Sequence, residues 1–189
     1  DSSLAYRIAL GADQTLADKE CLCIPMPMTK DEKKLEESHA TGAQQVCAQL
    51  AAGKSVAFLT LGDPTIYSTY LYLQKRVQQA GFQTQIISGI ASFLAAGAAF
   101  DMGLVERKEQ LHIVPSTYGV EQALELPGTK VLMKAGKQLA AVKAAVAQTT
   151  DNIYMIENCG MENERMVYGA QDMPDDAGYY SLIIVKENS

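Results

Sequence analysis

Residues Ser55–Leu61 read Ser-Val-Ala-Phe-Leu-Thr-Leu and stop on Gly62-Asp63-Pro64. This run constrains the fold more than any other stretch. Its nearly unbroken apolar character is that of a strand covered on both faces, as in a parallel sheet. The turn residues behind it mark the carboxyl end of such a strand, and in open α/β sheets ligands bind beyond those ends.

Short β-rich runs and longer amphipathic stretches alternate around it. A strand is expected at Glu20–Pro25. Thr29-Lys-Asp-Glu32 then predicts a helix start, with Thr29 as N-cap and Glu32 closing a capping box. That helix should run to about Ala52 and stop at Gly53. A second helix is expected at about Tyr67–Ala80, a strand at Thr84–Ile87 and a small-residue helix at Ala91–Met102. The polar stretch Glu106–Gln110 reads as a boundary. After it come strand Leu111–Val114, helix Val120–Glu125, strand Lys130–Lys134, helix Lys137–Gln148, strand Asn152–Glu157 and strand Tyr179–Lys186. Asp1–Ala17 reads as a capped helix with no strand before it. The pattern predicts an α/β protein of two lobes, residues 1–107 and 108–189, each a mostly parallel sheet flanked by helices.

Composition narrows the function classes. With 189 residues, 48% hydrophobic and 20% charged, the chain is neither disordered nor collagen-like. No apolar run approaches the ~20 residues of a membrane span, and no signal-peptide pattern opens the sequence. A net charge of −6 argues against non-specific binding to nucleic acid or anionic lipid. Cys21, Cys23, Cys47 and Cys159 are expected as reduced thiols of a cytoplasmic protein, and their spacing with His39 and His112 does not make a zinc site. Two histidines leave little material for a Ser-His-Asp or Cys-His centre. The 14 glycines form no G-x-G, which excludes the dinucleotide fingerprint, and there is no Walker A loop.

Chemistry is most concentrated at Leu59–Thr69. Gly62 can take positive φ or let a backbone approach a ligand, and Pro64 restricts Asp63 to extended conformations. Asp63 itself reads two ways, as a ligand contact or as a cap on the helix that follows.

The string LTLGDPTIYSTYLYL closely resembles the cofactor loop of the tetrapyrrole methylases, in the form found in their precorrin-2 and cobalt-factor II C20-methyltransferase branch. Similar strings follow the family order: PMTKD at 27–31, ISGIASF at 87–93, VLMKAGK at 131–137, ENCGMENE at 157–164 and YYSLIIVK at 179–186. The resemblance implies S-adenosyl-L-methionine as methyl donor, bound in a cleft between the lobes, with S-adenosyl-L-homocysteine as product. By position, the donor contacts would be Leu61, Gly62, Asp63, Ile66, Tyr67, Ala91, Ser92, Lys134, Cys159 and Ser181. Catalytic residues are not assigned, and no metal is implied. The family usually reads P-G-[IV]-[TS]-[SA] where this chain has Ser88 for the proline and Ala91 for the hydroxyl residue.

The acceptor implied is a reduced tetrapyrrole, precorrin-2 or cobalt-factor II, methylated at C20 in cobalamin biosynthesis by a cytoplasmic homodimer. Alternatives are a methylase of the same fold acting at another position, or a non-catalytic tetrapyrrole carrier. Cations for the acceptor's carboxylates would come from Lys30, Lys33, Lys34, Lys134, Lys137 and Arg165. The family also opens with a strand and a glycine- and proline-rich loop, which nothing in Asp1–Glu20 matches. This stretch alone is therefore expected to keep donor affinity but to transfer methyl groups poorly.

Overall fold

The computed structural model describes residues 3–115 and 119–188, apart from the side chain of Lys137. The chain divides into two compact units, Asp1–Ile90 and Ala91–Ser189. The division precedes the polar stretch 106–110, because the small-residue helix packs on the last strand of the second unit.

The first unit is built on a helix pair. α1 (Leu4–Ala12) starts at Ser3, whose hydroxyl accepts from the Tyr6 N–H. Of the expected helix 1–17, residues 1 and 2 lie outside the described residues. The rest breaks at Asp13, whose carboxylate accepts from both the N–H and the hydroxyl of Thr15 and starts a separate 3-10 turn, Gln14–Asp18. α2 (Glu32–Ala51) is capped by Asp31, which accepts from the Lys33 and Lys34 N–H groups. The predicted cap, Thr29, instead accepts from the Asp31 N–H. The carboxylate, two residues nearer the helix, satisfies two otherwise orphaned donors at once and adds a charge that favours the helix N-terminus. Gly53, at φ 79°, follows the end of the helix as expected.

α3 (Tyr70–Gln79) lies on α2, joining Ala43, Val46 and Val77 in a small core that takes in Ile24, Cys47, Leu50 and Phe82. Gly42 makes room for this contact, since a Cβ there would lie 2.6 Å from Ile24 Cγ2.

The strands expected in this unit do not form. Glu20–Pro25, Ser55–Leu61 and Thr84–Ile87 join no ladder among the described residues. The run that reads as doubly buried is open, with Leu59 42% exposed. A parallel strand needs partners at its edges and cover on both faces. Here α2 and α3 turn their apolar faces towards each other instead.

The second unit holds a five-stranded sheet: β1 (Leu111–Pro115), β2 (Thr129–Met133), β3 (Asn152–Glu157), β4 (Arg165–Tyr168) and β5 (Ser181–Lys186), in the order β1-β2-β5-β3-β4. Among the described residues only β1 and β2 pair in parallel, and the other three pairings are antiparallel. The sheet is mixed rather than mostly parallel because β5 returns between β2 and β3. Its Ile183 and Val185 join Leu132, Ile153 and Met155 against α5 (Val120–Leu124) and α6 (Leu139–Val146). α4 (Ser92–Ala99) packs on β5, and Phe100 just beyond it meets Tyr154 and Tyr168 edge-on. Within α4, Ala96 is fully buried and Gly97 fits against Leu104. Part of the small-residue face is therefore used inside its own unit. The buried Lys130 ammonium pairs with Asp151 at 3.0 Å.

The α2–α3 contact carries a pH-sensitive group. His39 is 7% exposed and stacks on Tyr72, with ring centroids 4.8 Å apart. Burial pushes its pKa down, the Arg76 guanidinium adds to that, and Glu36 opposes it. Below the ordinary value of about 6.5 the unfolded chain therefore binds a proton that the folded chain resists. Stability should be complete above that pH, fall as the pH drops, and level off below the folded pKa. Urea unfolding from pH 7.5 to 5 should show this slope, and His39→Gln should flatten it.

Candidate functional site

The residues expected to bind a ligand fall into two sets, one in each unit, and each set is ordered internally.

In the first unit the centre is Asp63. Its Oδ1 accepts from the Thr65 N–H at 2.8 Å and from the Thr65 hydroxyl. Its Oδ2 accepts from the Ser88 hydroxyl at 2.7 Å and from the Gly89 N–H at 3.1 Å. These four donors hold the carboxyl well below the usual carboxylate range, the Thr65 hydroxyl contributing most and Ser88 next. One side chain thus joins loop 62–65 to loop 88–89. The two backbones touch directly, because a Cβ on Gly89 would collide with the Gly62 carbonyl oxygen. Gly62 takes φ 69°, a left-handed conformation that suits glycine.

Asp63 is not a helix cap. α3 begins at Tyr70, whose N–H donates to the Ser68 hydroxyl. Beside the clasped turn, Leu61 and Tyr67 are exposed and Ile66 is half-buried. Tyr67 is held at φ 50°, unusual for an aromatic residue. The loop therefore offers a turned backbone, two apolar faces and no uncommitted anion.

In the second unit the expected residues gather at one end of the sheet. The carboxyl ends of β2 and β3 lie beside the start of β5, since Met133 is opposite Leu182 and Glu157 opposite Ser181. Lys134 follows β2 at φ 61°. Asn158, at φ 55°, donates its N–H to Tyr180 O and leads into Cys159. Cys159 is half-buried, and burial pushes its thiol pKa up, with Glu164 adding to the effect, so it stays protonated. Ser181 is 4% exposed and donates its hydroxyl to Gly178 O at 2.9 Å. Ala91, buried, opens α4, and Ser92 next to it is exposed.

Glu157 orders this end, a role not evident from the sequence. It accepts from the Gly178 N–H through one oxygen and from the Arg165 guanidinium through the other, at 2.6 Å. Gly136 lies against the same loop, 2.5 Å from Gly178 O to a Cβ built upon it. An acid on the last position of a strand is the sequence signal for such a clamp. Arg165 is thereby committed to Glu157, while Lys33 and Lys34 form exposed pairs with Glu37 and Asp31. Lys30 is exposed, and the Lys137 side chain lies outside the described residues.

The fold and site can be set beside known proteins. A uroporphyrin-III C-methyl transferase from Thermus thermophilus, solved with S-adenosyl homocysteine, has the same fold. The TM-score is 0.60 at 16% identity, over 82% of this chain and 74% of that one. The model of the tetrapyrrole (corrin/porphyrin) methylases matches residues 5–171, and the chain belongs to that family. It is 32% identical over 164 residues to a protein of Methanocaldococcus jannaschii named "Probable cobalt-precorrin-2 C(20)-methyltransferase", spanning 85% of this chain and 70% of that relative. It is 31% identical over 157 residues to the precorrin-2 C(20)-methyltransferase of a Sinorhizobium species, spanning 80% of this chain and 64% of that relative.

Replacing Glu157 by Ala should release Gly178 and leave Arg165 without its partner. Losing the two charge-assisted bonds should lower unfolding stability by about 1–3 kcal/mol. Amide exchange should quicken at residues 176–180 but not at Ile183 or Ile184, which hydrogen-exchange mass spectrometry can resolve.

Proposed function

We propose that this chain is an S-adenosyl-L-methionine-dependent C-methyltransferase acting on C20 of precorrin-2 or cobalt-factor II in cobalamin biosynthesis. The observation that carries the reading is the clasped loop Leu61–Tyr67, which lies inside a stretch similar to C20-methyltransferases over most of the chain. The named relatives include both a metal-free and a cobalt form of the acceptor, and this reading holds for either.

The donor set proposed is Leu61, Gly62, Asp63, Ile66 and Tyr67 in lobe 1–107, with Ala91 and Ser92, and Lys134, Cys159 and Ser181 in lobe 108–189. The chemistry of the first set fits an adenosyl group. Leu61 and Tyr67 expose apolar faces for a ring, and Gly62 makes a left-handed turn between them.

S-adenosyl-L-methionine supplies a methyl group already activated on a sulfonium. Transfer breaks its C–S bond, forms a C–C bond to C20 and leaves neutral S-adenosyl-L-homocysteine, and the positive charge passed to the tetrapyrrole is discharged by loss of a proton to solvent. The chain's own task is positioning: near-attack geometry supplies much of the rate when the donor needs no activation. A protonated Cys159 suits that role, since an ionised thiolate beside a sulfonium would be a competing nucleophile. Lys30, which is exposed, is proposed to face the acceptor's carboxylates.

A cytoplasmic location is proposed with this reading. Among the described residues no helix is long and apolar enough to cross a membrane. Calorimetry should show heat of binding for S-adenosyl-L-homocysteine. Its absence would remove the donor reading and favour the carrier. A homodimer is also proposed, with the outward side of α4, Leu94 and Ala98, facing the second copy. Light scattering at micromolar concentration should then give twice the chain mass, and a monomer mass would reject the dimer.

A further inference from the structure

We propose that the Asp63 side chain is a positioning group that shapes the donor loop through Ser88 and Gly89 and does not itself bond the ligand, which meets residue 63 only through the backbone, and that the Ser88 hydroxyl is its necessary partner. The proposal rests on the donor reading above and gives a role to a residue outside the donor set.

A carboxylate offers about four lone-pair sites. All four on Asp63 are filled from within the protein, by the N–H and hydroxyl of Thr65 and by the hydroxyl of Ser88 with the N–H of Gly89. A ligand donor could reach this carboxylate only by displacing one of them. The bonds instead span two loops 26 residues apart in sequence, at the point where Gly89 lies on the Gly62 carbonyl.

Ser88 is exposed, so its hydroxyl is not required for packing. Serine places no limit of its own on the backbone, so the hydrogen bond to Asp63 is what fixes its loop. The turn that must meet a donor at Gly62 is thus set by a side chain on the other loop.

The test is a double-mutant cycle on the whole chain, read by S-adenosyl-L-homocysteine calorimetry, thermal melting and NMR titration of the Asp63 carboxyl without ligand. Ser88→Ala should weaken binding about tenfold, and Asp63→Ala about ten- to a hundredfold. The double variant should be no weaker than Asp63→Ala alone, because both remove one interaction. Ser88→Thr, which keeps the hydroxyl, should restore the affinity. Melting of the Ser88 variants should stay within roughly 2 °C of the parent.

Unchanged affinity in Ser88→Ala, or additive losses in the cycle, would overturn the proposal and make Asp63 a direct contact. If the parent chain binds no S-adenosyl-L-homocysteine, the donor reading falls, and the titration then decides the clasp separately. A carboxyl pKa that rises in Ser88→Ala but not in Ser88→Thr supports it, and one indifferent to Ser88 overturns it.

Discussion

The second unit depends on the place of one strand. β5 lies between β2 and β3, which have no ladder with each other. Leu182, Ile183, Ile184 and Val185 are each no more than 5% exposed, so both faces of the strand are covered. Each residue contributes on the order of a few kcal/mol of apolar burial. The same insertion fixes the functional end of the sheet. Because β5 runs antiparallel to both neighbours, its first residue falls beside the carboxyl ends of β2 and β3, and Ser181 is level with Glu157. Left-handed turns at Lys134 and Asn158 then carry the chain out of the sheet at that end.

The first unit is organised differently. Its helices bury each other, and the segments that approach the expected ligand loop are tied by side chains rather than by ladder bonds. Asp63 joins its two loops, Thr84 accepts from Gln74 and Gln78, and the Ser38 hydroxyl donates to Pro25 O. Side-chain ties of this kind fix individual points, whereas a ladder fixes a whole strand. The geometry at Gly62 therefore rests on few bonds, and most of those converge on one carboxylate.

How much of this was legible follows from the range of each signal. α2 ends before a glycine and β3 spans its expected residues, because periodicity and stop residues are local. The cap was displaced from Thr29 to Asp31 because both residues fit the pattern, and only the backbone decides which carries the bonds. β4 has little signature of its own, because Arg-Met-Val-Tyr is four residues long and follows a stretch rich in turn residues. The order of the sheet has no local signature, so a mostly parallel arrangement was the natural expectation. In the run at 55–61, composition showed that the segment suits a buried strand, but no residue within it supplies the neighbours that burial needs. At the site, the motif marks Asp63, while the role of Ser88 depends on the meeting of two loops far apart in sequence, for which there is no local signal.

The position of β5 also governs the order in which this chain can become a structure. Parallel β1 and β2 can begin pairing early, and β3 with β4 is a local hairpin. These halves remain separate sheets with open edges until residues 181–186 arrive to join them. On a ribosome adding about 5–20 residues per second, the strand that completes the sheet emerges after the other four. Until then the flanking edges of β2 and β3 are exposed to pairing with other chains. Lys130 on β2 and Glu157 on β3 place a charge on each of the two strands that wait for β5. A strand edge that carries charge resists intermolecular pairing while it waits.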